Sequence, residues 1–247
     1  MVKHAFIITN PGEPGAANYC AGVLKDADNY HEFLQQSHGG LWYRSEITAM
    51  PRPARGDVLA EIARFRYYDY VLVVFSGHGS LRQDGSTVLE LRQSQEVTVD
   101  ELRLSTPGQT FIIDCCRVMG VAPRMLRAAE ELVKGIPSLR PEACRRAYEQ
   151  QIGLAGRAQI VMYSCSPGEH SIDDSNAGGF YSSSLLSAGD DWMHAHTSPG
   201  WGEYGVLSVA ESHETAASQV RIRTQGRQTP QIVKPRSGPY FPFCVVA

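Results

Sequence analysis

Several patterns that define whole classes of protein are missing from this 247-residue chain. No apolar stretch approaches the roughly 20 residues that a membrane span needs. The beginning, MVKHAFIITNPGEPG, is interrupted too early by proline and glycine to predict a secretion signal. The formal net charge is -3, with basic residues scattered among acids, which argues against binding to nucleic acid or a membrane surface. We therefore expect a cytoplasmic protein with neither of these partners.

Other absences concern chemistry. The six cysteines form no CxxC pair, so a structural zinc site is not expected, and in a reducing compartment they would be thiols. There is no GxSxG elbow, no GxxxxGK[ST] and no GxGxxG after a strand. These omissions speak against a serine hydrolase or a nucleotide-binding α/β protein.

What is present is an alternation of strand and helix patterns. Strands are predicted over residues 4–9, 41–50, 69–76, 110–116 and 159–165, with an exposed hairpin over 86–102 and an extended end. Helices are predicted from Val23 to the glycines at 39–40 and over residues 56–68, 145–153, 180–195 and 207–221. The arginine-rich stretch 117–143 is expected to be a partly helical, mobile connection. This order predicts an α/β domain with a mostly parallel sheet covered on both faces.

Two chemically active side chains follow buried strands. His78 lies in FSGHGS after the apolar run 70–74, and Cys116 ends TFIIDCC. Ligand sites of such sheets lie at the carboxyl ends of the strands, where both residues would meet. A thiolate attacks a carbonyl, and a nearby imidazole generates it and protonates the leaving amine. The alternative for each is plain packing, as a turn residue and a buried thiol.

The motifs around this pair carry a family resemblance. Strand-Ser-Gly-His-Gly followed about forty residues later by strand-Asp-x-Cys resembles the caspase-like cysteine peptidases, which include caspases, metacaspases and bacterial orthocaspases. Cys20-Ala-Gly-Val-Leu-Lys-Asp26-Ala is similar to the Gly-x-x-Asp segment at the start of the family's first helix. Residues 160–167 followed by GGFYSSSLL, and TPQI near the end, extend the resemblance over nearly the whole chain.

The resemblance implies a fold and a domain organisation. The expected fold is a caspase-like three-layer α/β/α sandwich with a mostly parallel six-stranded central sheet. Residues 1–247 would form one peptidase domain, with 1–117 like the large subunit, 118–157 a linker and helix, and 158–247 like the small subunit.

The resemblance also implies catalytic roles. His78 would be the general base and acid, Cys116 the nucleophile, and the backbone N–H groups of Gly79 and Cys116 the oxyanion hole. Cys115 is the rival nucleophile. The Asp-x-Cys spacing favours Cys116, and strand alternation places Asp114 and Cys116 on the same side. Cys115 is then a packing residue.

Asp114 bears on the substrate. Caspases have glutamine here and receive aspartate, whereas metacaspases have an acid here and receive arginine or lysine. With Asp26 and Ser76 at the other matching positions, the implied pocket is acidic. For Asp26 the alternative is an acid favoured by the dipole at a helix start.

Some features depart from the family or stay open. Arg117 and Val118 follow Cys116, unlike the His-Ser-Gly of metacaspases or the Arg-Gly of caspases, so the subfamily is open. Only Glu130 and Glu131 are acidic in the stretch after Cys116, so no calcium or other metal is predicted, and no cofactor. The acids of SPGEHSIDDSNAGG, which are Glu169, Asp173 and Asp174, rim the pocket or are simply those of an acidic loop.

Together these observations predict a cysteine endopeptidase that cleaves a protein or peptide substrate after a basic residue, with arginine preferred over lysine. Activation by a partner protein or by processing is expected for a regulatory protease of this kind. The basic residues between 117 and 146 are expected to make the connection a substrate of the enzyme itself. The alternative is a catalytically silent caspase-like interaction module.

Overall fold

The computed structural model of the chain describes residues 1–105, 107–119, 139–196 and 204–247. The strands of the described part are β1 Lys3–Asn10, β2 Ile47–Pro51, β3 Tyr70–Gly77, β4 Gly79–Leu81, β5 Thr87–Arg92, β6 Gln95–Thr98, β7 Gly108–Asp114, β8 Gln159–Tyr163, β9 Asp173–Asp174, β10 Gly178–Gly179, β11 Gly205–Ser208, β12 Gln231–Val233 and β13 Pro242–Val246. The α-helices of the same part are α1 Gly22–Gln35, α2 Arg55–Arg64, α3 Pro141–Ala155, α4 Phe180–Ala195 and α5 Val209–Arg223.

The centre of the fold is a six-stranded sheet in the order β12-β8-β7-β3-β1-β2. The neighbouring pairs from β8 to β2 are parallel, and only β12 runs antiparallel to its neighbour β8. The predicted six-stranded, mostly parallel sheet is therefore confirmed.

Both faces of this sheet are covered because successive residues of its strands point to opposite sides. Ala5 and Ile7 of β1 pack in a cluster with α1, α3, α4 and α5. Phe6 and Ile8 pack in a second cluster with α2 and the strands β5 and β6. Full burial of one such aliphatic or aromatic side chain contributes about 1.5–3 kcal/mol, which explains why the strands are apolar throughout.

The prediction of a strand over residues 41–50 is wrong in its first half, since β2 begins only at Ile47. Trp42 is buried in the first cluster, and its indole Nε1 donates a hydrogen bond to the Gly39 carbonyl at 3.1 Å. The Lys3 ammonium lies 5.0 Å from the centre of its ring. An apolar residue that looked like part of a strand thus anchors a loop after α1.

The predicted hairpin exists, but it is not exposed. Strands β5 and β6 pair antiparallel, and the short strand β4, which begins directly after His78, joins them as a third strand. Leu89, Leu91 and Val97 are fully buried in the second cluster. The alternating pattern therefore marked a small sheet that covers the central one.

The predicted connection over 117–143 is only partly described, because residues 120–138 lie outside the described residues. At its start Arg117 is buried, with its guanidinium 4.0 Å from the centre of the Tyr163 ring and donating to the Cys165 carbonyl at 3.1 Å. At its end α3 begins at Pro141, a favourable first helical residue, rather than at residue 145. The division at residues 117 and 157 stays a prediction.

The last third follows the prediction closely. Helix α4 has the expected bounds, whereas the expected helix over 207–221 begins later, at Val209, after the short strand β11. Ser208 sets this boundary, because its side chain accepts a hydrogen bond from the Glu211 N–H in a capping box. No helix in the described ranges is long and apolar enough to cross a membrane.

Candidate active site

The carboxyl ends of the central strands bring the predicted polar residues to one edge of the sheet. In the strand register Thr9 of β1 lies beside Ser76 of β3, which lies beside Asp114 of β7. His78 follows β3 directly, and Cys116 follows β7 by two residues. This is the edge at which parallel α/β sheets bind ligands.

Each of the two glycines of FSGHGS lies too close to a neighbouring atom to carry a Cβ. Gly77 has φ 150°, and a Cβ there would lie 2.4 Å from the Asn10 carbonyl oxygen. A Cβ on Gly79 would lie 2.5 Å from the Cys115 Sγ. Between them the His78 N–H donates to the Asn10 carbonyl at 3.3 Å. The glycines therefore allow the chain to leave the sheet while the imidazole stays at its edge.

A cavity of about 310 Å³ opens at this edge. Its lining includes the titratable or nucleophilic side chains of Cys20, His78, Asp114, Cys116 and Asp173. No lysine or arginine is among the described residues that line it. The predicted pair of histidine and cysteine thus lies in one cavity, whose described lining contains acids and no basic side chain other than His78.

The two neighbouring cysteines have different surroundings. Cys116 is half-buried and lines the cavity, with its Sγ 3.8 Å from the Ser171 carbonyl. Burial raises the pKa of the Cys116 thiol, and the Asp114 carboxylate raises it further. Cys115 is 1% exposed and packs beneath Gly79, and burial raises the pKa of its thiol well above the usual range. Only Cys116 of the two can meet a substrate in this cavity.

Asp114 lies at the cavity wall in a setting of serine donors. Its Oδ1 accepts from the Ser171 hydroxyl at 2.5 Å, and its Oδ2 accepts from the Ser182 N–H at 3.0 Å and hydroxyl at 2.7 Å. These donors fix the carboxylate at the start of α4 and substitute for the water that burial removes. Asp114 therefore presents to the cavity a carboxylate that is fixed by three hydrogen bonds.

Asp26 lies beneath the cavity rather than in its lining. It is 1% exposed, and its carboxylate accepts from the Ser76 hydroxyl at 2.5 Å and from the Gly179 N–H at 2.9 Å. Burial raises its pKa well above the usual range, and the nearby Asp114 raises it further. The alternative of a helix-start acid is wrong, because no acid occupies the first turn of α1.

Asp173 is the loop acid that reaches the cavity. Its Oδ2 accepts from the Gly22 N–H at 3.0 Å, while its buried Oδ1 has no hydrogen-bond partner among the described residues. Burial raises the pKa of Asp173 to about 7, with Asp114 and Asp174 as further causes. The sequence does not distinguish Asp173 from Glu169 and Asp174, since all three are acids of one glycine-rich loop.

The other two loop acids accept hydrogen bonds from backbone N–H groups of residues that do not line the cavity. Glu169 accepts from the backbone N–H groups of Ser166 and Thr229 at 3.1 and 2.6 Å. Asp174 accepts from the Asn176 N–H at 2.8 Å and does not line the cavity. Neither is placed to meet a ligand there.

Two further observations concern residues that the sequence assigned differently or missed. Gly79 is not among the cavity-lining residues, although it directly follows His78. Cys20, noted only as the beginning of a family segment, lies with its Sγ 3.7 Å from the His78 Nε2. No sequence pattern would have found this contact, because it joins residues from two different loops.

Within the described ranges, no group of three or more histidine, cysteine, aspartate or glutamate side chains is arranged to hold a metal ion.

Comparison with known proteins agrees with the fold. The family model for the caspase domain of Peptidase C14 matches residues 2–240, and the six-stranded, mostly parallel sheet with its helices is consistent with a caspase-like α/β sandwich. The chain therefore belongs to the Peptidase C14 family, a family of cysteine peptidases. A search of curated proteins found no match.

Proposed function

We propose that the protein is a cysteine endopeptidase that cleaves protein or peptide substrates after a basic residue, with arginine preferred over lysine. The observation that carries the proposal is the cavity in which His78 and Cys116 lie beside Asp114 and Asp173, with no lysine or arginine among the described residues of its lining. An imidazole and a thiol supply nucleophilic catalysis, and the carboxylates select the charge of the substrate.

The acids favour a guanidinium over other side chains. Asp114 is held by serine donors, and the Oδ1 of Asp173 is buried and unpartnered among the described residues. A planar guanidinium can donate to two carboxylates at once, whereas an ammonium acts as a point charge. An aspartate side chain would instead meet like charge in a poorly solvated cavity.

The chemistry follows from the pair. Cys116 gives its proton to the His78 imidazole and attacks the carbonyl carbon of the scissile bond. We expect the oxyanion to be stabilised by the backbone N–H groups of Cys116 and of Gly79, which is outside the cavity lining but directly follows the lining residue His78. The bond to the leaving amine breaks, the amine takes the proton from His78, and a water molecule activated by the same imidazole hydrolyses the thioester.

The raised pKa of Cys116 supports the proposal that the activity of the enzyme is regulated. Burial and the Asp114 carboxylate both raise the pKa of Cys116, so the unoccupied site holds a thiol rather than a thiolate. A cation bound at Asp114 cancels part of that effect and lowers the Cys116 pKa. We expect a partner protein or processing to add to this activation by fixing the loops around the cavity.

The cysteines support a reducing compartment such as the cytoplasm. All six are free thiols, and five of them are buried. Cys116 is therefore available as a free thiol for catalysis.

An active-site-directed probe tests the proposal against a silent module. We expect a peptidyl acyloxymethyl ketone with arginine next to the warhead to label Cys116, as located by mass spectrometry, and the matched aspartate probe to label it at least tenfold more slowly. Pretreatment with excess iodoacetamide should abolish labelling. A protein that no arginine probe labels, with Cys116 still open to iodoacetamide, would be a silent module.

A further inference from the structure

The Nε2 atom of His78 is enclosed by the loop between β1 and α1. A Cβ added to Gly12 would lie 2.9 Å from this nitrogen, and the Cys20 Sγ lies 3.7 Å from it. The same Sγ lies 3.3 Å from the Asn18 carbonyl oxygen. A single thiol thus stands between the imidazole and a backbone carbonyl.

The number of available protons determines which group donates in each of these two hydrogen bonds. A carbonyl oxygen can only accept a hydrogen bond, and a thiol has one proton to donate. The shorter of the two contacts is the one to the Asn18 carbonyl, so the thiol proton is directed there. The Cys20 sulfur can then only accept, and the group that donates to it is an Nε2–H of His78.

The thiol keeps this proton over the working range. Cys20 is 6% exposed, and burial raises its pKa to about 12, with the nearby Asp173, Cys116 and Asp114 as further causes. These groups face Cys20 from the loop before α4 and from the end of β7, and none of them is a cation. A cysteine in this position is therefore a neutral donor and acceptor.

We propose that Cys20 is a positioning residue, which holds His78 in the tautomer with the proton on Nε2 and so leaves the Nδ1 lone pair to take the proton of Cys116. The chain Nε2–H to Cys20 Sγ, and Cys20 S–H to the Asn18 carbonyl, also fixes the plane of the ring. The inference rests on the proposed function only in assigning His78 as the base.

The contact with Cys20 orients the imidazole through a weak hydrogen bond, because a thiol sulfur is a weak acceptor. Replacing the sulfur by a hydroxyl oxygen preserves the chain of donors, and removing it leaves the ring free to turn.

The test compares Cys20→Ala and Cys20→Ser with wild type, and uses Cys144→Ala, a buried thiol of α3 outside the cavity, as the matched control. Imidazole ¹⁵N spectra report the tautomer of His78, assigned by its loss in His78→Gln. Iodoacetamide alkylation of Cys116, followed by mass spectrometry over pH 5.5 to 9, reports the base function without any substrate.

The expected result is that wild type, Cys20→Ser and Cys144→Ala show the Nε2–H tautomer and the same pH profile of alkylation. Cys20→Ala should show a mixture of tautomers and about tenfold slower alkylation at neutral pH, a smaller loss than the 100-fold or more typical of a missing general base. If Cys20→Ala keeps the wild-type spectrum and profile, or if wild type carries its proton on Nδ1, the inference is overturned.

These readouts separate the inference from the proposed function. A tautomer shift in Cys20→Ala in a protein that cleaves no peptide supports positioning and refutes the peptidase proposal. Unchanged spectra in a protein that does cleave arginine peptides refute positioning and leave the peptidase proposal intact. If Cys20→Ala fails to fold, Cys20→Ser carries the test, since a tautomer other than that of wild type would contradict the chain of donors.

Discussion

Neighbouring residues with the same side chain can have opposite roles at the end of a strand. Cys115 points into the second cluster beneath Gly79, and Cys116 points into the cavity. The difference follows from the alternation of directions along an extended chain. It also explains why Gly79 carries no side chain, since a Cβ would collide with the Cys115 sulfur.

The first prediction concerns this pair. Cys116→Ala should abolish cleavage of peptide substrates, and His78→Ala should be equally inactive, because nucleophile and base act as a unit. Cys115→Ala should keep most of the activity, at a cost in stability from the lost packing. Steady-state cleavage rates of the purified variants check this. Activity in Cys116→Ala together with its loss in a folded Cys115→Ala would reverse the assignment.

A second prediction concerns Asp173 and the pH dependence of substrate binding. With a pKa of about 7 in the empty site, Asp173 is mostly neutral at pH 6 and mostly ionised at pH 8. A substrate arginine binds the ionised form better, so the KM for arginine peptides should fall about five- to tenfold between these values. The same peptide with citrulline, a neutral isostere, should show no such fall.

Variants isolate the carboxyl responsible. Asp173→Asn should remove the fall in KM with pH, while Glu169→Gln, in the same loop but outside the cavity lining, should keep it. A pH dependence of KM that persists unchanged in Asp173→Asn would show that another group binds the cation.

At the scale of elements, the interiors of strands and helices were predictable and their boundaries were less so. Strands β3 and β7 are largely continuous apolar runs, which is the pattern expected of a parallel strand with both faces buried. The stretch 41–50 is equally apolar at its start, yet Trp42 lies in a loop and is buried in the core. Composition alone cannot distinguish these cases, because both bury the same apolar surface.

The third prediction concerns cleavage of the chain by itself, and the structure narrows it. Arg117 is buried, and Arg145 lies in α3 with its guanidinium donating to Glu46 at 2.6 and 2.8 Å, so the expectation of an open basic connection is wrong for both. A protease needs an extended, accessible chain. Self-cleavage should therefore avoid Arg117 and Arg145, and also Arg146 in the same helix, and should occur after Arg124, Arg127, Lys134 or Arg140.

Mass spectrometry of wild type and Cys116→Ala, expressed and purified side by side, checks this prediction. Cuts after the named residues should occur in wild type alone. Equal cuts in both proteins would come from another protease, and a cut after Arg145 would require α3 to open.

At the scale of the whole molecule, the cavity acids should cost stability. Asp173 ionises in the folded protein only at a pKa of about 7, against about 3.9 for an unfolded chain. Its contribution to stability is therefore fully present below the unfolded pKa and is lost as the pH rises through 7. Buried acids kept for binding commonly oppose folding in this way.

The fourth prediction follows from this sign. Between pH 5 and pH 8, Asp173→Asn should gain about 2–3 kcal/mol in free energy of unfolding relative to wild type, because the amide need not be ionised. Urea unfolding at both values measures this difference. A variant that gains nothing relative to wild type between pH 5 and pH 8 would mean that the Asp173 charge is satisfied in the folded protein.

The sequence allowed prediction of the sheet, its mostly parallel order and the edge at which polar residues meet, since these depend on local patterns and on the alternation of strands with helices. The resemblance to the caspase-like peptidases also named Asp114 and Ser76, which lie at the carboxyl ends of β7 and β3. The sequence did not distinguish Asp173 from its neighbours or find the contact between Cys20 and His78. Those depend on how loops from distant parts of the chain fold over the edge, which no periodicity records.

The central claim is that an acidic cavity selects arginine for cleavage by Cys116, and a fluorogenic peptide panel varied only at the residue before the scissile bond tests it most directly. Arginine should exceed aspartate in kcat/KM by at least about a hundredfold and should lead lysine, since each charge-assisted hydrogen bond contributes about 1.5–3 kcal/mol. Asp114→Asn should lower arginine turnover about tenfold or more without gaining aspartate cleavage. Wild type that cleaves aspartate peptides best, or an Asp114→Asn variant with unchanged arginine turnover, would contradict the account.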